Sequence, residues 1–314
     1  MTDLSRRCPA LVALASFVVL AGCAGSPAPP SAASSAAGFP ITIRSADGAV
    51  RIPARPHAIV SLSPTATEML YAIGAGSQVE AVDKYSDYPA GTPRTSLDGD
   101  DPNVEAIAAR RPDLVVASQD VSGLSHQLRA LGIPVLLDPA AGDLAQAYAQ
   151  FVQLGRATGH LAGARAEVAT VEAEIRQVVA STPRPTGPLT YYYELDQTYY
   201  SETSSTFIGQ VLGLLGLRSI ADAASGAAAS GGYPQLNAEF VVNADPDYVF
   251  LADTRCCAQS PATVGARPGW STMAAVEHGR VLALDDDVAS RWGPRVVVLL
   301  QEVARELRAH PVRS

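Results

Sequence analysis

Lysine is almost missing from this 314-residue chain: of its 23 basic residues only Lys84 is lysine. A deficit that spares every surface lysine position at once reads as genome composition rather than as function. Basic charge is also outweighed, and the formal charge of −8 argues against nucleic acid as a partner. The five histidines, His57, His126, His160, His278 and His310, show no metal-ligand spacing, which argues against a free zinc or manganese ion as bound cargo and leaves no metal site. No G-x-S-x-G, H-E-x-x-H, P-loop or S-x-x-K occurs, so no enzyme class is indicated and no cofactor is implied. What is present, 47% hydrophobic and 17% charged residues, describes a globular protein long enough for two core-bearing lobes.

The first residues read as a targeting segment. Arg6 and Arg7 precede an apolar run, Ala10 to Leu20, that is short for a bilayer span. Leu20-Ala21-Gly22-Cys23 follows and resembles the bacterial lipobox. That resemblance implies cleavage of residues 1–22 and acylation of Cys23, leaving the domain tethered to the outer face of the cytoplasmic membrane. Residues 24–38, rich in Pro, Ala and Ser, have nothing to build a core and form a flexible leash, so 23–38 is lipidated cysteine plus linker.

From Phe39 onward, short apolar strands alternate with helices, the pattern of a parallel sheet covered on both faces. Strands are expected at Phe39–Ile43 and Val50–Ile52 around an Asp47-Gly48 turn, then at Ala58–Leu62, Val79–Val82, Leu114–Ala117 and Val135–Leu137. In Leu161 to Ser181 the apolar residues Leu161, Ala164, Val168, Val171, Ile175 and Val178 recur at steps of three and four, which puts them on one helical face. No Gly or Pro interrupts 164–181, so one continuous helix of roughly 18 residues, about 27 Å long, is expected. The chain on either side repeats itself. Asn103, Glu105, Pro112 and Asp113 recur at one constant offset as Asn237, Glu239, Pro246 and Asp247. The expected organisation is therefore a lobe at 39–158, a bridging helix at 159–182 and a second lobe at 183–314, with small molecules bound in the cleft between lobes.

IVSLSPTATEMLYAIGAG, the YSDYP loop, NVEAIAARRPDLVVA, SSTFIGQVLGLLG and WGPRVVVLLQEVARELR together resemble the periplasmic binding proteins of ABC importers for iron siderophores, haem and cobalamin. The likeness runs from about Arg55 to Leu307. It implies an α/β fold of two Rossmann-like lobes bridged by one long helix, a monomer in contact with ABC permease subunits. By the same resemblance Glu105 and Glu239, one per lobe, match the acids that the family presents to permease arginines. Tyr85, Tyr200, Tyr233, Asp287 and Arg291 match positions that line the site in the cobalamin-binding branch. Two tryptophans of that branch are replaced here by Gly99 and Ser118.

Ligands of open α/β sheets sit at the carboxyl ends of the strands. Loops at such ends carry Tyr85, Tyr88, Ser118, Gln119, Tyr199 and Tyr200, with Tyr233 just before Glu239 and Asp287, Arg291, Trp292 and Arg295 beyond Val281–Leu284. Tyrosine faces with arginine forks suit a bulky, partly aromatic, anionic ligand. The expected cargo is thus an iron chelate, a ferric siderophore or haem; the alternatives are cobalamin, or an envelope adaptor without cargo. Asp285-Asp286-Asp287 reads as a solvated acidic turn of which Asp287 is the ligand contact. Cys256-Cys257 follows the strand Tyr248–Leu251. Its Cα atoms across a trans peptide stand about 3.8 Å apart, below the usual ~4.4 to 6.8 Å disulfide range, so a vicinal disulfide stiffening this loop would be strained. Two free thiols or a soft-metal site are the alternatives.

Overall fold

The structure, a computed structural model, describes residues 38–184 and 187–312. The leader, Cys23 and the linker up to residue 37 lie outside the described residues. Among those described, no helix is long and apolar enough to cross a membrane.

An antiparallel hairpin, β1 (Ile41–Ser45) and β2 (Gly48–Ile52), turns at Asp47-Gly48. It runs two residues later than expected because Ser45 is claimed by the first sheet: its hydroxyl accepts from the Leu137 amide at 2.9 Å. That sheet is parallel, in the order β4-β3-β5-β6, from β3 (Ile59–Leu62), β4 (Val79–Val82), β5 (Leu114–Ala117) and β6 (Val135–Leu137). The second sheet is also parallel, in the order β10-β9-β7-β8, from β7 (Leu189–Glu194), β8 (Leu217–Ser219), β9 (Tyr248–Leu251) and β10 (Val281–Ala283). Read from the second strand outward, both orders are the same. Helices α1 (Pro64–Ala72), α2 (Val104–Ala108), α3 (Leu124–Ala130) and α4 (Leu144–Thr158) belong to the first half. After α5 (Leu161–Ser181) come α6 (Phe207–Gly213), α7 (Ala238–Ala244), α8 (Pro261–Gly265), α9 (Ala274–Glu277), α10 (Asp286–Ser290) and α11 (Val296–Ala309).

Two of the four repeated residues, the asparagine and the aspartate, have the same structural job in both halves. Asn103 and Asn237 are the N-caps of α2 and α7, their side-chain oxygens accepting from the Ala106 and Phe240 amides at 2.7 and 2.8 Å. Asp113 accepts from the amides of His57 and Ala58, leading into β3, and Asp247 accepts from the amide of Thr190 in β7. Each aspartate thus ties the strand it precedes to the central strand of its own sheet. The repeat is a duplicated way of setting strand register.

Helix α5 has 21 residues. It extends past the uninterrupted stretch because Gly163 lies inside it: a Cβ there would stand 2.3 Å from the Ile73 carbonyl oxygen, so glycine lets the helix press against the end of α1. Gly159, in the left-handed region at φ 77, caps α4 and separates the two helices. The apolar stripe of α5 divides between two cores. Ala164 joins the core around Leu70, Val116 and Leu154, whereas Val171, Ile175 and Val178 join the one around Tyr191, Phe250 and Leu300. One helix is therefore packed into both halves.

Candidate ligand cleft between the lobes

The carboxyl ends of β3, β4 and β5 meet the segment after β10 around a cavity of about 410 Å³. Ser63 ends β3 and N-caps α1, its hydroxyl accepting from the Ala66 amide at 3.3 Å. Beyond β4, the buried Asp83 carboxylate accepts from the amides of Tyr85 and Ser86 at 3.2 and 2.9 Å, folding the YSDYP loop back over the cavity. Burial pushes the Asp83 carboxyl above the ordinary aspartate range. Gly99 stands where a Cβ would come within 2.5 Å of the Leu62 carbonyl oxygen, so no larger residue fits without moving β3.

Of the residues expected to contact ligand, Tyr85, Ser118, Gln119, Asp287, Arg291 and Trp292 line this cavity together. Tyr88 and Arg295 line a neighbouring cavity of about 460 Å³ bounded by α1, α5 and the start of α11. Tyr200 and Tyr233 lie on the second lobe's loops, bordering neither. Tyr199 has a left-handed backbone, φ 69, and its half-buried ring packs 6.1 Å from that of Trp270. The most exposed large apolar side chains include Tyr85, Tyr88, Tyr200 and Tyr233, at 41 to 49% exposure. All four sit on loops beyond the carboxyl ends of strands, where apolar surface kept in water marks a binding face.

The arginines are arranged differently from the expectation of free forks for an anion. Glu68, on α1 and 1% exposed, receives Arg291 Nη1 at 2.7 Å and Arg295 through both Nε at 3.0 Å and Nη2 at 2.6 Å. Arg291 also donates to the Tyr85 carbonyl at 3.1 Å and to Asp287. Arg295 lies 4.4 Å above the Tyr88 ring, and its pKa is raised by Glu68 against the opposing effect of burial. Between the two arginines, Trp292 Nε1 donates to Gln150 of α4 at 2.8 Å, and its ring packs on both cores. The α10–α11 junction is thus a second strut between the lobes. The physical reason is burial: a carboxylate inside α1's packed face needs cations, and Arg291 and Arg295 of the opposite lobe supply them.

At the rim, Arg255 contacts Asp287 at 2.6 Å, Asp285 at 3.5 Å and, across the cleft, Asp87 at 3.7 Å. Lys84 pairs with Asp98 at 2.5 Å. Asp286 is drawn away from any ligand, accepting from the Arg255 and Cys256 amides at 2.9 and 2.8 Å, and these bonds outweigh burial in lowering its pKa. Cys256 and Cys257 are free thiols in this structure, Cys256 exposed on this loop. The short Cα separation of adjacent residues opposes ring closure. Burial, with Cys257 and Asp286 alongside, pushes the Cys256 thiol up to about 12. Among the described residues no group of three or more His, Cys, Asp or Glu could hold a metal ion.

Glu105 and Glu239 are exposed in the first turns of α2 and α7. Both helices run back from the carboxyl ends of the strands, so each acid stands at the cleft end of its lobe. Glu68, Asp83, Asp87, Asp100 and Arg255 were not anticipated. Glu68 had a signal, a lone acid amid Thr65, Ala66, Met69 and Leu70 on an apolar helix, while its partners lie more than 220 residues away.

Two parallel-sheet lobes joined by a single spine helix, with a cleft at the strand ends, are the architecture of the two-lobe periplasmic binding proteins. The periplasmic binding protein family is matched over residues 59–288, and the chain belongs to it. It is 30% identical over 307 residues to an uncharacterized ABC transporter substrate-binding lipoprotein, YvrC, of Bacillus subtilis (strain 168), covering 94% of each chain. It is 29% identical to a cobalamin-binding protein of Halobacterium salinarum, covering 94% of this chain and 82% of that one. Its fold is that of the periplasmic heme-binding protein RhuT from Roseiflexus sp. RS-1, with a TM-score of 0.69 at 23% identity over 81% of this chain and 98% of that one.

Proposed function

We propose that the chain is the extracytoplasmic substrate-binding component of an ABC importer, acylated at Cys23, that carries a bulky metal chelate in the interlobe cleft to its permease. Glu105 and Glu239 are its docking acids: two matched carboxylates at one end of two similar lobes suit a symmetric partner, and such charges chiefly set register and on-rate. Tyr85, Tyr88, Tyr200 and Tyr233 supply aromatic contact, with Ser118, Gln119 and Trp292 in the cavity wall.

For the cargo we favour a corrinoid. The observation that carries this is the engagement of Arg291 and Arg295 by Glu68 and of Asp287 by Arg291 and Arg255, which leaves Asp83 and Asp100 to set the sign of the cavity. An acidic cleft disfavours haem propionates and catecholate siderophores, and it admits a corrinoid without net charge. The relative at 29% identity is named for cobalamin. A second reading, an iron chelate, is consistent with the exposed tyrosines, which could offer an oxygen ligand to haem iron. Calorimetric titration of residues 38–314 with cyanocobalamin, haemin and ferric siderophores tests this. One-to-one binding of cyanocobalamin at micromolar affinity or better is expected; binding of haemin or a tris-catecholate in its place would overturn the corrinoid reading.

A further inference from the structure

We infer that Glu68 is the charge filter of the cleft, a specificity-determining residue that acts by withdrawing Arg291 and Arg295 from any anionic ligand. The inference rests on the cleft being the cargo site. Glu68 is fully buried on one lobe and both arginines come from the other, so the guanidinium edges that face it are engaged between lobes, at 2.6 to 3.0 Å. Arg291 lines the cavity yet is only 7% exposed. Its Nη2 also donates to the Tyr85 carbonyl and to Asp287. The two other cations nearby are paired as well, Lys84 with Asp98 and Arg255 with Asp287. An entering carboxylate would therefore meet the acids Asp83 and Asp100 while Arg291 is held by Glu68, Asp287 and the Tyr85 carbonyl. A ligand without net charge would meet none of this repulsion.

The same geometry states what would reverse the preference. Without the Glu68 charge, two guanidinium groups next to the cavity lose their strongest acceptor, and the free donors match a propionate or catecholate oxygen. A hydrogen bond to a charged group contributes enough to change affinity by roughly ten- to hundredfold.

The experiment compares wild type and Glu68→Gln with two probes, haemin and cyanocobalamin, by fluorescence titration, with circular dichroism checking the fold. The haemin-to-cyanocobalamin preference is expected to move toward haemin by about tenfold or more, and to return in Glu68→Gln/Arg291→Gln/Arg295→Gln, where no arginine is released. An unmoved preference in a folded Glu68→Gln protein would overturn the inference, as would equal gains in the single and triple variants. If Glu68→Gln does not fold, wild type alone decides. Raising salt from 50 to 500 mM should strengthen or first reveal haemin binding by screening the acids, and a fall in affinity would mean that the arginines are already open. Absence of cyanocobalamin binding by wild type would count against the corrinoid reading; haemin binding gained by the single and not the triple variant would still uphold Glu68 as the filter.

Discussion

Glu202 shows how a single buried group ties this domain to pH. It is fully buried, accepts from the Tyr191 hydroxyl at 2.5 Å and bonds Thr206, and burial pushes its pKa up to about 7. Asp253 and Asp138 are also pushed up to about 7 by burial. Each binds a proton more tightly folded than unfolded, so its protonated form is favoured in the native state. The sign follows: stability is full below the ordinary carboxylate range and falls as pH rises from about 4 toward about 7. Asp47, lowered to about 2 by Arg129, Ser45 and Ser125 against burial, works in the opposite sense and loses its contribution only in stronger acid. Thermal unfolding of residues 38–314 should therefore show a higher midpoint at pH 5.5 than at pH 8. Glu202→Gln should shrink that difference, by on the order of 1 to 3 kcal/mol; an equal or larger pH dependence in the variant would show that Glu202 is ionised in the native protein. None of this was legible locally, because burial of Glu202 depends on a fold that brings Tyr191 over it.

At the scale of elements, much was legible. The three-and-four spacing of 161–181 located the spine helix to the residue at its C-terminal end. The parallel strands from 59 to 137 fell within a residue of their expected limits, since continuous apolar runs between turn signals leave little freedom. Short helices such as α8, α9 and α10 were missed, for four or five residues carry no periodicity. Arg291, Trp292 and Arg295 border the cavities and also bridge the lobes, and the bridging was not legible because its partners Glu68 and Gln150 lie far away in sequence. Ile175 tests the spine directly. It is 6% exposed in the second core, so Ile175→Ala should cost about 2 to 5 kcal/mol in urea unfolding. A cost under about 1 kcal/mol would mean that the stripe collapses readily or is not packed as described.

On the scale of the whole molecule, the lobes are held together by α5, whose stripe enters both cores, and by the Glu68 ion cluster with Trp292, with lesser contacts such as Arg255 to Asp87. Removing one partner of a buried ion pair typically costs about 3 to 5 kcal/mol, so the strut resists opening as well as twisting. Free and loaded protein should then have nearly equal radii of gyration in small-angle scattering. A marked compaction on loading would mean that the strut breaks and re-forms in the transport cycle.

The proposed transport role rests on two exposed acids outside the cavity lining. Glu105 and Glu239 occupy equivalent first turns, each behind an asparagine cap, and neither bonds the cavity. Glu105→Ala with Glu239→Ala should leave the calorimetric affinity for cargo where it is in wild type, while uptake of labelled cobalamin by cells that depend on this chain falls by tenfold or more, as loss of two interfacial charge pairs would produce. Uptake at the wild-type rate by that double variant would contradict the delivery of cargo to a permease through these two carboxylates.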